Sequence, residues 1–154
     1  MLRFAEKQGR EIYMIGAKEI ELAGRLADVA GGVIRPFFRA SFDHEAKADS
    51  TPVTEADRAA EAAIRAILDV ECPTDAIVGE EYGEKSGTSG RTWVIDPIDG
   101  TRSFLRFGRN FCVSLGLLLD GVAVAAFIFD PVGDELYEAR LGEVVLQRLE
   151  HTEL

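Results

Sequence analysis

Between residues 17 and 40, Leu22, Leu26, Val29, Val33 and Phe37 recur at three- and four-residue spacing. That apolar stripe predicts an amphipathic helix. Gly31, Gly32 and Pro36 weaken its C-terminal part and predict a kink or an early end. Residues 41–53 are polar and predict a loop. Thr54-Glu55-Ala56-Asp57 then opens a second helix in the manner of a capping box. Ala56, Ala60, Ala63, Ile64, Ile67 and Leu68 continue its apolar side, and Pro73 marks its end. Residues 1–16 carry no clear period. They read either as a short helical extension or as residues upstream of a start at Met14, which N-terminal sequencing of the natural product would decide.

Past residue 75 the pattern changes to strands. Ala76-Ile77-Val78 is short and apolar, and Thr92-Trp93-Val94-Ile95 follows a polar loop over 85–90. Phe111 to Leu119 and Val122 to Phe129 are long apolar runs joined by Asp120-Gly121, a strong hairpin signal. Pro131-Val132-Gly133-Asp134 is a second turn and leads into a strand over Glu135 to Arg140. Trp93, Phe127 and Phe129 are core candidates. The order of elements predicts an α+β domain, two N-terminal helices packed on an antiparallel sheet. The two long runs are apolar at nearly every position, so both sheet faces expect cover.

Composition fits a folded domain: 154 residues, 47% apolar and 29% charged. The formal net charge of −10 is unevenly placed. Residues 1–42 carry 7 basic and 5 acidic groups, residues 43–99 carry 5 and 14, and residues 100–154 carry 5 and 8. An acidic surplus argues against a nucleic-acid binder, which needs a basic surface, and against attachment to anionic lipid. Cys72 and Cys112 form no CxxC and suit the reduced thiols of a cytoplasmic protein. No run approaches the roughly 18 apolar residues of a membrane span, and the first 20 residues lack a signal-peptide core.

The chemistry concentrates in Trp93-Val94-Ile95-Asp96-Pro97-Ile98-Asp99-Gly100-Thr101-Arg102-Ser103-Phe104. A strand delivers Asp96, Pro97 removes a backbone donor, and Asp99 follows three residues later. Gly100 lets the backbone approach a ligand closely, and the next N–H groups can face an anion. Two carboxylates beside an anion cradle suit Mg²⁺ holding a phosphate. A lone DxxD also occurs in ordinary turns. The full string, however, resembles the signature of the inositol monophosphatase superfamily, Mg²⁺-dependent phosphomonoesterases. Val78-Gly79-Glu80-Glu81 is similar to the family's glycine–diglutamate segment, and Ser50 to Asp57 to its loop-to-helix segment. The resemblance runs from about Leu22 to Gly142.

The resemblance implies that Glu80, Asp96 and the Ile98 carbonyl hold one Mg²⁺, that Asp96 bridges to a second bound also by Asp99, and that Asp57 helps hold a third through water. It implies that Asp57 and Thr101 orient the attacking water, that Glu80 belongs to the catalytic set, and that Gly100, Thr101 and Ser103 receive the phosphate. Glu81 becomes a supporting neighbour, and Lys47 matches a lysine of a mobile loop if one gap is allowed. Arg102-Ser103-Phe104 and the stretch from Lys47 to Thr54 resemble the histidinol-phosphate phosphatase branch more than inositol phosphatases. The implied substrate is a small phosphorylated alcohol, histidinol phosphate or inositol monophosphate, and family members are commonly homodimers. His44 and His151 receive no role.

The chain also departs from the family. The resemblance implies a layered αβαβα fold whose second α/β region carries a metal-binding Asp directly after a Trp. Here Trp93 is the sole Trp and Val94 follows it. The expected organisation is an extension over 1–16, an α+β metal- and phosphate-binding domain over 17–142 and an atypical tail over 143–154. The sequence thus reads as the N-terminal part of the fold without its C-terminal α/β region, through truncation, frameshift or gene splitting. Two readings stay open: a phosphomonoesterase whose remainder lies elsewhere, and a non-catalytic remnant retaining the fold and partial metal binding. An open sheet face predicts homodimerisation or self-association.

Overall fold

Helix α1 runs Ala17–Ile34 and continues into a 3-10 turn over Arg35–Phe37. The Glu19 carboxylate accepts the Gly16 N–H at 2.9 Å, the reciprocal half of a capping box. The computed structural model describes residues 4–7, 10–13, 15–39, 52–140 and 143–145. Lys47, His44, His151 and most of the 41–53 loop therefore lie outside the described residues.

The buried side of α1 is Leu22, Ala23, Leu26, Ala27, Ala30, Gly31 and Ile34. Val29, Val33 and Phe37 from the sequence stripe are only partly buried at its margin. The contact face is thus rotated toward the small residues, because they let the helix lie close to the sheet. At Gly31 a Cβ would come within 2.6 Å of the Phe129 ring. The residue that weakens the helix by propensity is the one that permits this approach.

Helix α2 spans Pro52–Glu71, starting two residues before Thr54. Proline suits the first helical position, where its missing N–H has no intrahelical partner to lose. Ala56, Ala60, Ile64 and Leu68 are fully buried on one side. α1 and α2 pack together over one face of the sheet.

Among the described residues nine strands follow in order: β1 Phe4–Lys7, β2 Arg10–Tyr13, β3 Ala76–Gly79, β4 Gly83–Lys85, β5 Arg91–Asp99, β6 Cys112–Leu119, β7 Val122–Asp130, β8 Glu135–Arg140 and β9 Glu143–Val145. β1 and β2 form a two-stranded hairpin, which replaces the helical extension considered for this region. The main sheet has seven strands ordered β4-β3-β5-β6-β7-β8-β9. It is mixed, whereas the sequence predicted an antiparallel sheet: β3 pairs with β5 in parallel. Two helices on an α+β sheet are otherwise as expected. The Asp120–Gly121 hairpin is present, both residues having positive φ (48° and 79°), as its right-handed strand twist requires.

Burial alternates along β6, with Val113, Leu115, Leu117 and Leu119 facing the helices. On the other face Val94, Ile128 and Tyr137 are exposed. Strand register aligns Val78, Val94, Gly116, Ala126 and Ala139 in one uncharged row across that open face.

Candidate active site

The parallel pairing of β3 and β5 builds the site. Gly79 lies opposite Ile95, and the Glu80 N–H donates to the Ile95 carbonyl at 3.2 Å. Glu80 and Asp96, the next residue on each strand, therefore emerge side by side. The negative charge of Glu80 thus bears on the Asp96 carboxyl.

β5 does not end at Asp96. It runs to Asp99, with a register shift that sets Asp96 opposite Ser114 and Asp99 opposite Cys112. Three steps on β5 thus match two on β6, a one-residue bulge. In a regular strand residues three apart face opposite sides. The extra residue cancels that, so Asp99 adds its charge to the neighbourhood of Asp96. Pro97 and Ile98 are both buried, as the broken alternation requires.

Gly100 follows in the left-handed conformation (φ 93°, ψ 34°) and caps the short helix α3, Thr101–Leu105. A Cβ there would sit 2.5 Å from the Asn110 carbonyl oxygen. The Gly100 carbonyl accepts the N–H groups of Ser103 and Phe104. Phe104 is held in an aromatic cluster, 5.7 Å from Phe38 and 4.9 Å from Phe111 between ring centroids. The Thr101 hydroxyl donates to the Ile98 carbonyl at 3.2 Å, which leaves that oxygen one lone pair. The Ser103 hydroxyl accepts the Asn110 N–H at 3.1 Å and so pins the loop after α3. It retains its own proton to donate.

Asp57, near the start of α2, is 7% exposed. Burial first, then the negative charges of Glu81, Glu80, Asp96 and Glu61, push its carboxyl up to about 7. Asp96 is likewise pushed up to about 7, by burial first and then by Glu80 and Asp99. Its Oδ1 is buried without a hydrogen-bond partner among the described residues. Crowded carboxylates with a buried, unanswered oxygen are what a cation would satisfy. Among the described residues no three His, Cys, Asp or Glu side chains form a ready cation cage. Mg²⁺ does not need one, since one or two carboxylates, waters and phosphate oxygens suffice. The donor set fits that ion.

The sequence pattern does not single out Glu61 and Arg65. Glu61 is fully buried on α2, one turn after Asp57, and accepts N–H bonds from Glu81 (2.8 Å) and Tyr82 (3.2 Å). Arg65 pairs with it at 2.7 Å. The available signal was the four-residue spacing from Asp57, on the side that also carries Ala56 and Ala60. The Glu81 carboxylate lies 3.5 Å from the Arg58 guanidinium. A cavity of about 250 Å³ lies elsewhere, lined by Leu22, Arg25, Cys72, Asp75, Arg91 and Trp93 among others. These belong to α1, to the segment between α2 and β3, and to the start of β5, away from Glu80, Asp96 and Asp99.

Residues 17–149 match the model of the inositol monophosphatase family. A histidinol-phosphatase of Chlorobaculum parvum is 42% identical over 125 residues, covering 80% of this chain and 48% of that protein. An inositol-1-monophosphatase of Rhizobium meliloti is 44% identical over 91 residues, covering 58% of this chain and 34% of that one. A solved inositol monophosphatase from Zymomonas mobilis superposes with a TM-score of 0.69 at 43% identity, covering 87% of this chain and 55% of the other. The chain spans about half the length of the curated relatives it matches first. Sequence and fold agree on the same kinship, and the chain belongs to the inositol monophosphatase family.

Proposed function

We propose that this chain carries the cation- and phosphate-binding half of a Mg²⁺-dependent phosphomonoesterase acting on a small phosphorylated alcohol. The observation that carries the reading is the buried Oδ1 of Asp96, which has no hydrogen-bond partner among the described residues, beside Glu80. Glu80, Asp96 and the Ile98 carbonyl would hold one Mg²⁺, Asp96 and Asp99 a second, and Asp57 a third through water. Bound Mg²⁺ supplies water activation and offsets phosphate charge. Asp57 and Thr101 orient the attacking water. The N–H groups of Gly100 and Thr101, with the Ser103 hydroxyl, receive the phosphate oxygens.

Histidinol phosphate is the first substrate to test, because Arg102-Ser103-Phe104 resembles that branch and the Chlorobaculum parvum relative is a histidinol-phosphatase. Inositol monophosphate is the second. Phosphate release from each, with Mg²⁺, is measured for the chain and for Asp96→Asn. Loss of turnover in the variant supports the reading, and equal rates in both overturn it. The alternative is a non-catalytic remnant of the family that keeps the fold and partial metal binding. Under that alternative, cation binding persists without turnover.

The proposed setting is the cytoplasm, free of membrane or nucleic acid. Among the described residues no helix is long and apolar enough to cross a membrane. The open sheet face supports homodimerisation, and light scattering that shows a monomer at high concentration overturns that part.

A further inference from the structure

The turn between β3 and β4 is held almost entirely from α2. The buried Glu61 carboxylate accepts the N–H groups of Glu81 at 2.8 Å and Tyr82 at 3.2 Å. Arg65 donates to Glu61 at 2.7 Å and, with its other arm, to the Gly83 carbonyl. The Arg65 guanidinium also sits over the Tyr82 ring, 5.9 Å from its centroid. Gly79 completes the fit: a Cβ there would fall 1.9 Å from Glu61 Oε1. Every residue after Glu80 in the turn is thus fastened to one carboxylate–guanidinium pair. Glu80 itself is tied through its own N–H to Ile95.

A buried carboxylate that accepts three N–H bonds is a rigid anchor. Simple helix–sheet packing does not require one here, since Ala60 and Ile64 already fill the apolar contact. The anchor sits one helical turn from Asp57. The same short stretch of α2 therefore sets where Asp57 lies and where Glu80 lies.

We propose that Glu61, braced by Arg65, is a positioning residue that holds the Glu80 carboxylate beside Asp96 for divalent-cation binding. The inference rests on the cation-dependent reading above. Glu61 touches neither cation nor substrate and acts through the turn. Partners of this kind commonly change metal affinity by about 10–100-fold when removed. In Glu61→Gln the amide nitrogen would confront an N–H donor, so at least one of the backbone bonds is lost.

The test uses the full chain and Mn²⁺ alone as the probe, with free Mn²⁺ followed by electron paramagnetic resonance. Amide hydrogen exchange at Glu81 and Tyr82 is read in parallel. Glu61→Gln is expected to weaken Mn²⁺ binding about 10–100-fold and to accelerate exchange at those two amides. Arg65→Met, which leaves the carboxylate in place, should give an intermediate effect and replaces Glu61→Gln if that variant does not fold. Leu68→Ala, buried toward the other end of α2, should lower the melting temperature and leave Mn²⁺ affinity unchanged. Unchanged Mn²⁺ affinity in Glu61→Gln, or an equal loss in Leu68→Ala, overturns the proposal while leaving the cation-dependent reading intact. If the unmodified chain binds no Mn²⁺, both fall, and protected amides at Glu81 and Tyr82 would then show the anchor to be purely structural.

Discussion

Replacing Asp96 by Asn is expected to stabilise the cation-free protein near neutral pH and to abolish its stabilisation by divalent cations. The Asp96 carboxyl is moved from the ordinary 3.8 to about 7, by burial first and then by Glu80 and Asp99. The folded form therefore binds the proton more tightly than the unfolded chain. Between these two values the folded state holds more protons, so stability falls as pH rises through the window, and the deficit is complete above about 7. At about 1.4 kcal/mol per tenfold change in proton affinity, the ceiling is about 4 kcal/mol. Partial solvent access reduces this to about 2 kcal/mol. Asparagine keeps the shape and removes the charge. Urea unfolding in EDTA at about pH 8 should show the variant more stable by about 2 kcal/mol, with most of the gap closed at about pH 4.5. Saturating Mn²⁺ should reverse the order, because only the unmodified chain gains binding free energy. A variant less stable than the parent in EDTA at the higher pH, or a gap that ignores pH, would refute the reasoning.

Two further substitutions test the packing. A methyl group added at Gly32 would meet nothing within 4 Å among the described residues, whereas one at Gly31 would face Phe129 at 2.6 Å. Thermal denaturation should therefore show Gly32→Ala gaining roughly 0.5–1 kcal/mol and Gly31→Ala losing roughly 1–3 kcal/mol; the same sign for both would count against the helix–sheet contact. Asp75 is fully buried and accepts from Trp93 Nε1 (3.1 Å), Ser89 Oγ (2.7 Å) and Arg91 Nε (3.1 Å). Asp75→Ala should lose roughly 2–4 kcal/mol, read by urea titration of the fluorescence of Trp93.

Local patterns made much of this legible. The Asp120–Gly121 turn is encoded by residues that tolerate positive φ, and the two helices by their apolar spacing. The Asp96–Asp99 string was visible as a pair of carboxylates, but the bulge that turns them to one side was not. That bulge depends on what β6 places opposite. The parallel β3–β5 pairing was hidden for the same reason, since a short apolar strand carries no record of its partner's direction. β4 was missed because Gly83, Glu84 and Lys85 form an edge strand with no apolar side to signal it. Glu61 escaped notice because, in sequence, a Glu one turn after an Asp looks like the wet side of a helix. Only the turn over 80–83 shows why it is buried.

The parallel pairing that assembles the carboxylates also has a kinetic meaning. β3 is followed by the antiparallel β4, and the chain then returns through 86–90 to place β5 on the opposite side of β3. Closing that pair is the step that brings Glu80 against Asp96. Loop-closure entropy and charge repulsion thus fall on one event during folding. A proton or divalent ion that quenches the repulsion is therefore expected to change the rate at which this sheet forms, as well as the stability of the finished site.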